Sequence, residues 1–208
     1  MIMRYLRNKF YYYKYSISEM CNLGEVYING LKYAINIDAK KIGEKGLSKT
    51  IITSKNGGQI KINKNSIIRE GCKIENNGKG VIEIGFDTNI NENTMIKTNG
   101  NANIIIKNNC EISWNCQILG SDFHQILYNS KIKKSFCADV FIGEHVWIGT
   151  NSIILKNTKI GNNCVIQANS LVIGQFPDNC LIGGNPAKIL KYNINFRNLS
   201  SEEKKGFL

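Results

Sequence analysis

The chain has 208 residues, 42% hydrophobic and 21% charged, with two prolines and a formal charge of +11, enough for a single domain or one solenoid with a sizeable core. The opening MIMRYLRNKFYYYKYSI is too rich in Arg, Lys and Tyr for a signal peptide's apolar segment, and no run approaches eighteen apolar residues. A stable membrane insertion is therefore not expected, and a cytoplasmic location is. The charge favours an anionic partner, but no helix-turn-helix, zinc-finger spacing or RNA-binding aromatic signature is present, so nucleic acid is not expected.

Residues 1–50 carry Tyr11, Tyr12, Tyr13 and Tyr15. They read as an irregular segment that caps the first coil of a solenoid, because an open solenoid end needs covering; an edge strand or an oligomer contact stays open. From residue 51 the chain acquires a six-residue register. Isoleucines recur in three blocks, Ile62, Ile68, Ile74, then Ile84, Ile90, Ile96, then Ile106, Ile112, Ile118. Each block is three hexapeptides plus four extra residues, and the extras fall in the Gly- and Asn-rich turns ENNGKG and TNGNAN.

From Ile142 the register is uninterrupted: Ile148, Ile154, Ile160, Ile166 and Val172, with the small-slot residues Val146, Ser152, Thr158, Cys164 and Ser170 four places after the first five. Three strand-plus-turn units make one triangular coil whose branched residues point inward and stack on the coil below. A period of six fits neither a helix nor the alternation of a sandwich. The fold expected is all-β, a parallel β-helix over residues 51–185, followed by a tail at 186–208. There Ser200 and Glu203 have the spacing of a capping box and predict a short final helix. The whole of 1–208 reads as one domain.

The register also assigns cysteines. Cys72, Cys110, Cys116 and Cys164 sit in the small slot, where a free thiol packs as a small hydrophobe. Cys21, Cys137 and Cys180 read as lying outside it. The seven thiols are expected to be reduced, and no Cys-x-x-Cys pair suggests a metal site.

Between Ile118 and Ile142 the pairing of inward and small residues lapses, so 119–139 reads as a loop projecting from the coil, the usual carrier of function on a rigid scaffold. It holds His124, one of only two histidines. A neutral imidazole titrates near working pH and can serve as a general base. Asp122, two residues earlier, either orients that ring or forms a turn. Trp147 occupies a coil position that is normally small or polar and solvent-facing. There its face can pack on a sugar ring and its N–H can donate one hydrogen bond. His145 beside it reads as a surface or subunit-contact residue.

The stretch IGEHVWIGTNSIILKNTKIGNNCVIQANSLV, followed by PDNCLIGGNPAKILK, resembles the hexapeptide-repeat acyltransferases, and within them the bacterial sugar and polysaccharide O-acetyltransferases. The resemblance covers roughly residues 60–192. It implies a left-handed β-helix, a homotrimer, and acetyl-CoA bound in the groove between subunits. It also implies that the loop histidine, His124, is the base and that Trp147 is its companion, matching the tryptophan of polysialic acid O-acetyltransferases. For the co-substrate it implies backbone contacts at Thr150 and Ala168, with Lys188 and Lys191 meeting phosphates. Ile173 departs from the family's Ser or Thr.

The activity implied is O-acetylation of a sugar hydroxyl on an anionic bacterial surface glycan, with sialic acid the best single candidate. No covalent acyl-enzyme is required, because the thioester is already activated. Two histidines are too few for the zinc site of the γ-class carbonic anhydrases that share this fold, so no metal is expected. The alternatives are an amino-sugar N-acetyltransferase, a small-molecule acetyltransferase for galactosides or antibiotics, or a non-catalytic glycan-binding β-helix. Residues 1–50 show neither a large helical domain nor a βαβ unit.

Overall fold

The computed structural model describes residues 50–129, 131–132 and 136–197, together with the backbone of three short strands at Glu25–Ile28, Leu31–Tyr33 and Ile37–Asp38. The tyrosine-rich cap, Cys21 and the helix expected at Ser200–Glu203 lie outside the described residues.

The chain winds as a left-handed parallel β-helix, with six rungs on sheets I and III and, below the six of sheet II, a seventh parallel strand, Glu25–Ile28, so that this part of 1–50 is not the irregular segment expected. Sheet I contains Ile51–Ser54, Lys73–Asn76, Met95–Thr98, Gln117–Leu119, Ile153–Ile154 and Leu171–Val172. Sheet II contains Gln59–Ile62, Val81–Ile84, Ile104–Ile106, Val140–Ile142, Thr158–Ile160 and Gln175–Phe176. Sheet III contains Ile67–Ile68, Asn89–Ile90, Glu111–Ile112, Trp147–Ile148, Val165–Ile166 and Cys180–Gly184. The path is I to II to III and back to I, one rung higher. Among the described residues there is no helix.

Register follows directly from the hexapeptides. On sheet III, Ile68, Ile90, Ile112, Ile148, Ile166 and Ile182 stand in one column. On sheet I, Ile52, Ile74, Ile96, Ile118, Ile154 and Val172 do the same. All are fully or almost fully buried, so each branched side chain packs on its own kind above and below, the arrangement that suits a β-branched residue on a pleated wall.

Cys180 corrects the sequence reading. It is fully buried and sits four residues after Phe176, which takes the inward position in the last rung of sheet II. Cys180 is therefore a small-slot residue, hidden from a search for branched apolar residues because an aromatic one holds its register.

The extra residues of the lower coils fall at the corner between sheets I and II. There the longer turn would strand backbone groups, and the buried Asn76 supplies partners instead. Its side-chain amide donates to the carbonyls of Gly80 at 2.7 Å and Gln59 at 3.1 Å, while its oxygen accepts from Gly78 N–H at 3.1 Å. Residues 55–58 make the same extension in the first coil, so the 119–139 excursion is a fourth and larger enlargement of this corner.

Candidate active site

The excursion leaves the coil after Gln117–Leu119 and returns at Val140–Ile142, and its base is tied shut. Ser121 and Cys137 form an antiparallel bridge, Asp122 N–H donates to the Phe136 carbonyl at 2.7 Å, and Ala138 N–H donates to that of Gly120 at 3.1 Å. The Asp122 carboxylate is 3.2 Å from the Lys156 ammonium, which belongs to the same corner one rung above. Lys97 lies 5.1 Å from the centre of the Phe123 ring. Beyond this base, Leu127–Tyr128 and Lys131–Ile132 pair as a short antiparallel hairpin, with Ile126, Leu127 and Tyr128 more than half exposed.

His124 stands between base and hairpin, exposed and with no hydrogen-bond partner for its ring among the described residues. Asp122 is thus paired with Lys156, and the pairing anchors the excursion to the coil.

Trp147 lies on sheet III, 42% exposed, in register between Glu111 below and Val165 above. Its indole N–H, which sequence reading offers to a sugar, donates to Ser113 Oγ at 3.1 Å and so fixes the ring in place. His145 occupies the corner between sheets II and III with φ of 52°, the left-handed slot held by Asn109 below and Asn163 above, where Asn and His are the non-glycine residues best tolerated. Its Nδ1 is 3.1 Å from Asn163 Oδ1.

Phe196, which sequence reading missed, stacks on His145 with ring centres 4.1 Å apart at 14° and lies 6.0 Å from Trp147 at 46°. The tail brings it there. Strand Ala187–Tyr192 runs back antiparallel along Cys180–Gly184, and Ile194 N–H then bonds the Asn179 carbonyl at 3.0 Å.

Of the expected co-substrate contacts, Thr150, Ala168 and Lys188 gather at or beside the corner between sheets III and I, and Lys191 does not. Asn169 N–H donates to the Thr150 carbonyl at 2.9 Å, which stacks Thr150 and Ala168 on successive rungs. Gly149 makes the approach possible, because a Cβ there would lie 2.6 Å from Ala168 N and 2.8 Å from the Ile166 carbonyl oxygen. Lys188 pairs with Gly183 beside the top of this corner, whereas Lys191 pairs with Leu181, about 7 Å further across sheet III. Both lysines are exposed, as is Ile173.

The fold keeps His124 and Trp147 apart within one chain. His124 is two residues from Asp122 and so within about 7 Å of the I/II corner, while Trp147 lies on sheet III, the side of the prism opposite that corner.

Residues 139–174 match the family model for bacterial transferase hexapeptide repeats. The chain is 32% identical over 149 residues to WbbJ of Escherichia coli K12, named as a lipopolysaccharide biosynthesis O-acetyl transferase, covering 67% of this chain and 75% of that one.

The chain belongs to the hexapeptide-repeat transferases. Its activity class is acetyl transfer. Among solved structures, this hexapeptide-repeat transferase is similar to the polySia specific acetyltransferase NeuO, at 28% identity and a TM-score of 0.67 over 76% of this chain and 74% of that one. It is also similar to a point mutant of AntD, an N-acyltransferase of Bacillus cereus in complex with dTDP and coenzyme A, at 25% identity and a TM-score of 0.52 over 69% and 80%.

Proposed function

We propose that this protein transfers the acetyl group of acetyl-CoA to a hydroxyl of an anionic bacterial surface glycan, in the cytoplasm, at sites formed between the subunits of a homotrimer. The observation that carries this reading is the placement of His124 and Trp147 on opposite sides of one prism. An exposed imidazole on a braced excursion meets no reacting partner among the described residues of its own chain, and a neighbour's sheet III would supply one.

In this site His124 takes the proton of the acceptor hydroxyl as its oxygen attacks the thioester carbonyl. The imidazolium then returns the proton to the departing thiolate as the C–S bond breaks. The Thr150 amide faces the thioester end, the Ala168 backbone the pantetheine arm, and Lys188 and Lys191 the phosphates. Trp147, held by Ser113, packs on the acceptor ring.

An acidic acceptor fits the placement of charge. Residues 1–49 hold nine of the 27 basic residues against four acids, and the excursion adds Lys131, Lys133 and Lys134. Sialic acid is the favoured acceptor, supported by the likeness to NeuO. The likeness to AntD favours an amino-sugar acceptor as the second reading.

Thiol release from acetyl-CoA, measured with sialylated, neutral and amino-sugar acceptors, tests the proposal. His124→Ala is expected to lower the rate about 10²- to 10⁴-fold with acetyl-CoA binding intact. Equal rates for wild type and variant would remove His124 from the mechanism, and a wild type that binds no CoA would overturn the reading.

A further inference from the structure

The backbone of this solenoid keeps the left-handed region for a narrow set of side chains. Among the described residues, every non-glycine residue with positive φ is Asn, Asp or His, with one exception, Phe123 at 59°. Asn, Asp and His are the types that tolerate this region, whereas a bulky aromatic residue there is an outlier held at a cost. Phe123 immediately precedes His124. The other left-handed residue of the excursion is Asn129, at the turn of the hairpin.

The conformation is clamped on both sides of the bond that φ describes. On the nitrogen side, Phe123 N–H donates to Ser121 Oγ at 2.9 Å, and the buried Ser121 hydroxyl donates in turn to the Phe136 carbonyl at 3.2 Å. This hydroxyl-closed turn sits on the tied base of the excursion. On the Cα side, the ring is half-buried and has the Lys97 ammonium 5.1 Å from its centre. Lys97 is itself placed by Glu75, whose Oε2 lies 2.8 Å away on the rung below.

We propose that Phe123 is a positioning residue: its ring, gripped by Lys97, holds a costly left-handed turn that aims the His124 imidazole away from its own coil and into the site shared with the neighbouring subunit. This rests on the acetyl-transfer reading with His124 as base, and adds the element that points it.

The Cα of His124 lies one step of about 3.8 Å beyond that of Phe123. Relaxation of Phe123 to the negative φ natural for an aromatic residue is a rotation of roughly 120° about N–Cα, which swings His124 through several ångström. A misplacement of about 1 Å can cost about 10²-fold in rate. The ring also accounts for the absence of Asn from this slot, because Asn would fit the turn without strain but would give Lys97 no aromatic face. A ring that served only to pin the excursion would need no strained backbone. The Asp122–Lys156 ion pair and the Ser121–Cys137 bridge already pin it.

Three variants separate the ring from the turn, read by thiol release from acetyl-CoA. Phe123→Asn keeps the left-handed turn and removes the ring. Its kcat is expected to fall about 10-fold while its urea midpoint stays at or above that of wild type, because strain is relieved. Phe123→Val is β-branched and barred from the turn, and its kcat is expected to fall about 100-fold. Phe123→Tyr is expected to restore most of the rate lost in Phe123→Asn. Acetyl-CoA KM, oligomer mass and the pH profile of kcat should hold in all three, since the imidazole is displaced and not altered. Lys97→Met is expected to slow wild type about 2- to 5-fold and to slow Phe123→Asn no further.

Wild-type kcat in Phe123→Asn or in Phe123→Val would overturn the proposal. So would a kcat that falls only as the urea midpoint falls, which would make Phe123 an ordinary packing residue. Thiol release that His124→Ala leaves unchanged, or a wild type that binds no CoA, would instead remove the acetyl-transfer reading on which the aim depends, whatever the Phe123 variants do.

Discussion

The III/I corner can be tested without touching a side chain proposed to contact either substrate. In Gly149→Ala the new Cβ would meet only main-chain atoms of the next rung, at 2.6, 2.8 and 3.0 Å, where ordinary contact begins at 3.4 Å. No side chain can rotate away, so the rungs must part locally by about 0.8 Å to reach ordinary contact. The bonds that tie them there, Gly149 N–H to the Ile166 carbonyl and Asn169 N–H to that of Thr150, are 2.9 Å each. Opening to about 3.7 Å takes both out of useful range.

Two weakened backbone bonds at about 1 kcal/mol each and overpacking of about 1–3 kcal/mol put the loss near 3–5 kcal/mol. It is read as a lower urea midpoint. The same opening displaces Thr150 and Ala168, so kcat/KM for acetyl-CoA should fall about 10- to 100-fold while His124 remains in place.

Gly161→Ala is the matched control. Its Cβ would meet the Asp178 carboxylate, and behind it Asp178 N at 2.5 Å and Pro177 C at 2.7 Å, so a main-chain clash of similar closeness arises at the II/III corner. Comparable destabilisation with acetyl-CoA kinetics near wild type is expected. If Gly149→Ala lost stability as Gly161→Ala does but kept the wild-type KM for acetyl-CoA, the III/I corner would not be the co-substrate track.

The ion pair at the base of the excursion predicts that Asp122→Asn and Lys156→Met each slow turnover about 2- to 5-fold and that the double variant is no slower. The pH profile should stay where it is in all three; a shift confined to Asp122→Asn would show that the carboxylate orients His124 directly. Burial raises the thiols of Cys72 and Cys116 from an ordinary 9.0 to about 11 and that of Cys110 to about 12. The unfolded chain then loses these protons from pH 9 upward while the folded chain keeps them, so stability is intact below pH 9 and falls as pH rises toward 11. The limiting slope is about 1.4 kcal/mol per pH unit per thiol. Urea midpoints at pH 8 and pH 10 should show a smaller fall for Cys72→Ala/Cys116→Ala than for wild type, and an identical fall would refute the assignment.

The core was legible because one residue type repeats at one interval. Ile112 and Ile148 pair across sheet III although 36 positions separate them, since the excursion adds residues only at the I/II corner and returns the chain in phase. What the interval could not convey is where a residue lies around the coil once a return strand or an ion pair intervenes. Phe196 reaches His145 only because the tail doubles back on Cys180–Gly184, a contact 51 positions apart with no periodic signal. Asp122 looks like a partner for His124 by proximity in the chain, and the lysine that holds it comes from the next rung.

Trp114, exposed at the III/I corner one rung below Thr150, escaped for a different reason. Counted from one isoleucine to the next it is only a turn residue, and the irregular excursion after it hides its alignment with Thr150. Removing the excursion's eighteen extra residues, the difference between the 36-residue step at Trp114–Thr150 and the 18-residue step of the upper coils, places positions 70, 92, 114, 150 and 168 in a single column. The same arithmetic that locates the core therefore locates this surface column. In a solenoid a candidate site is best sought by stacking coils, with the insertion set aside as a separate element, and by asking which column carries aromatic and acidic residues where turns elsewhere carry asparagine.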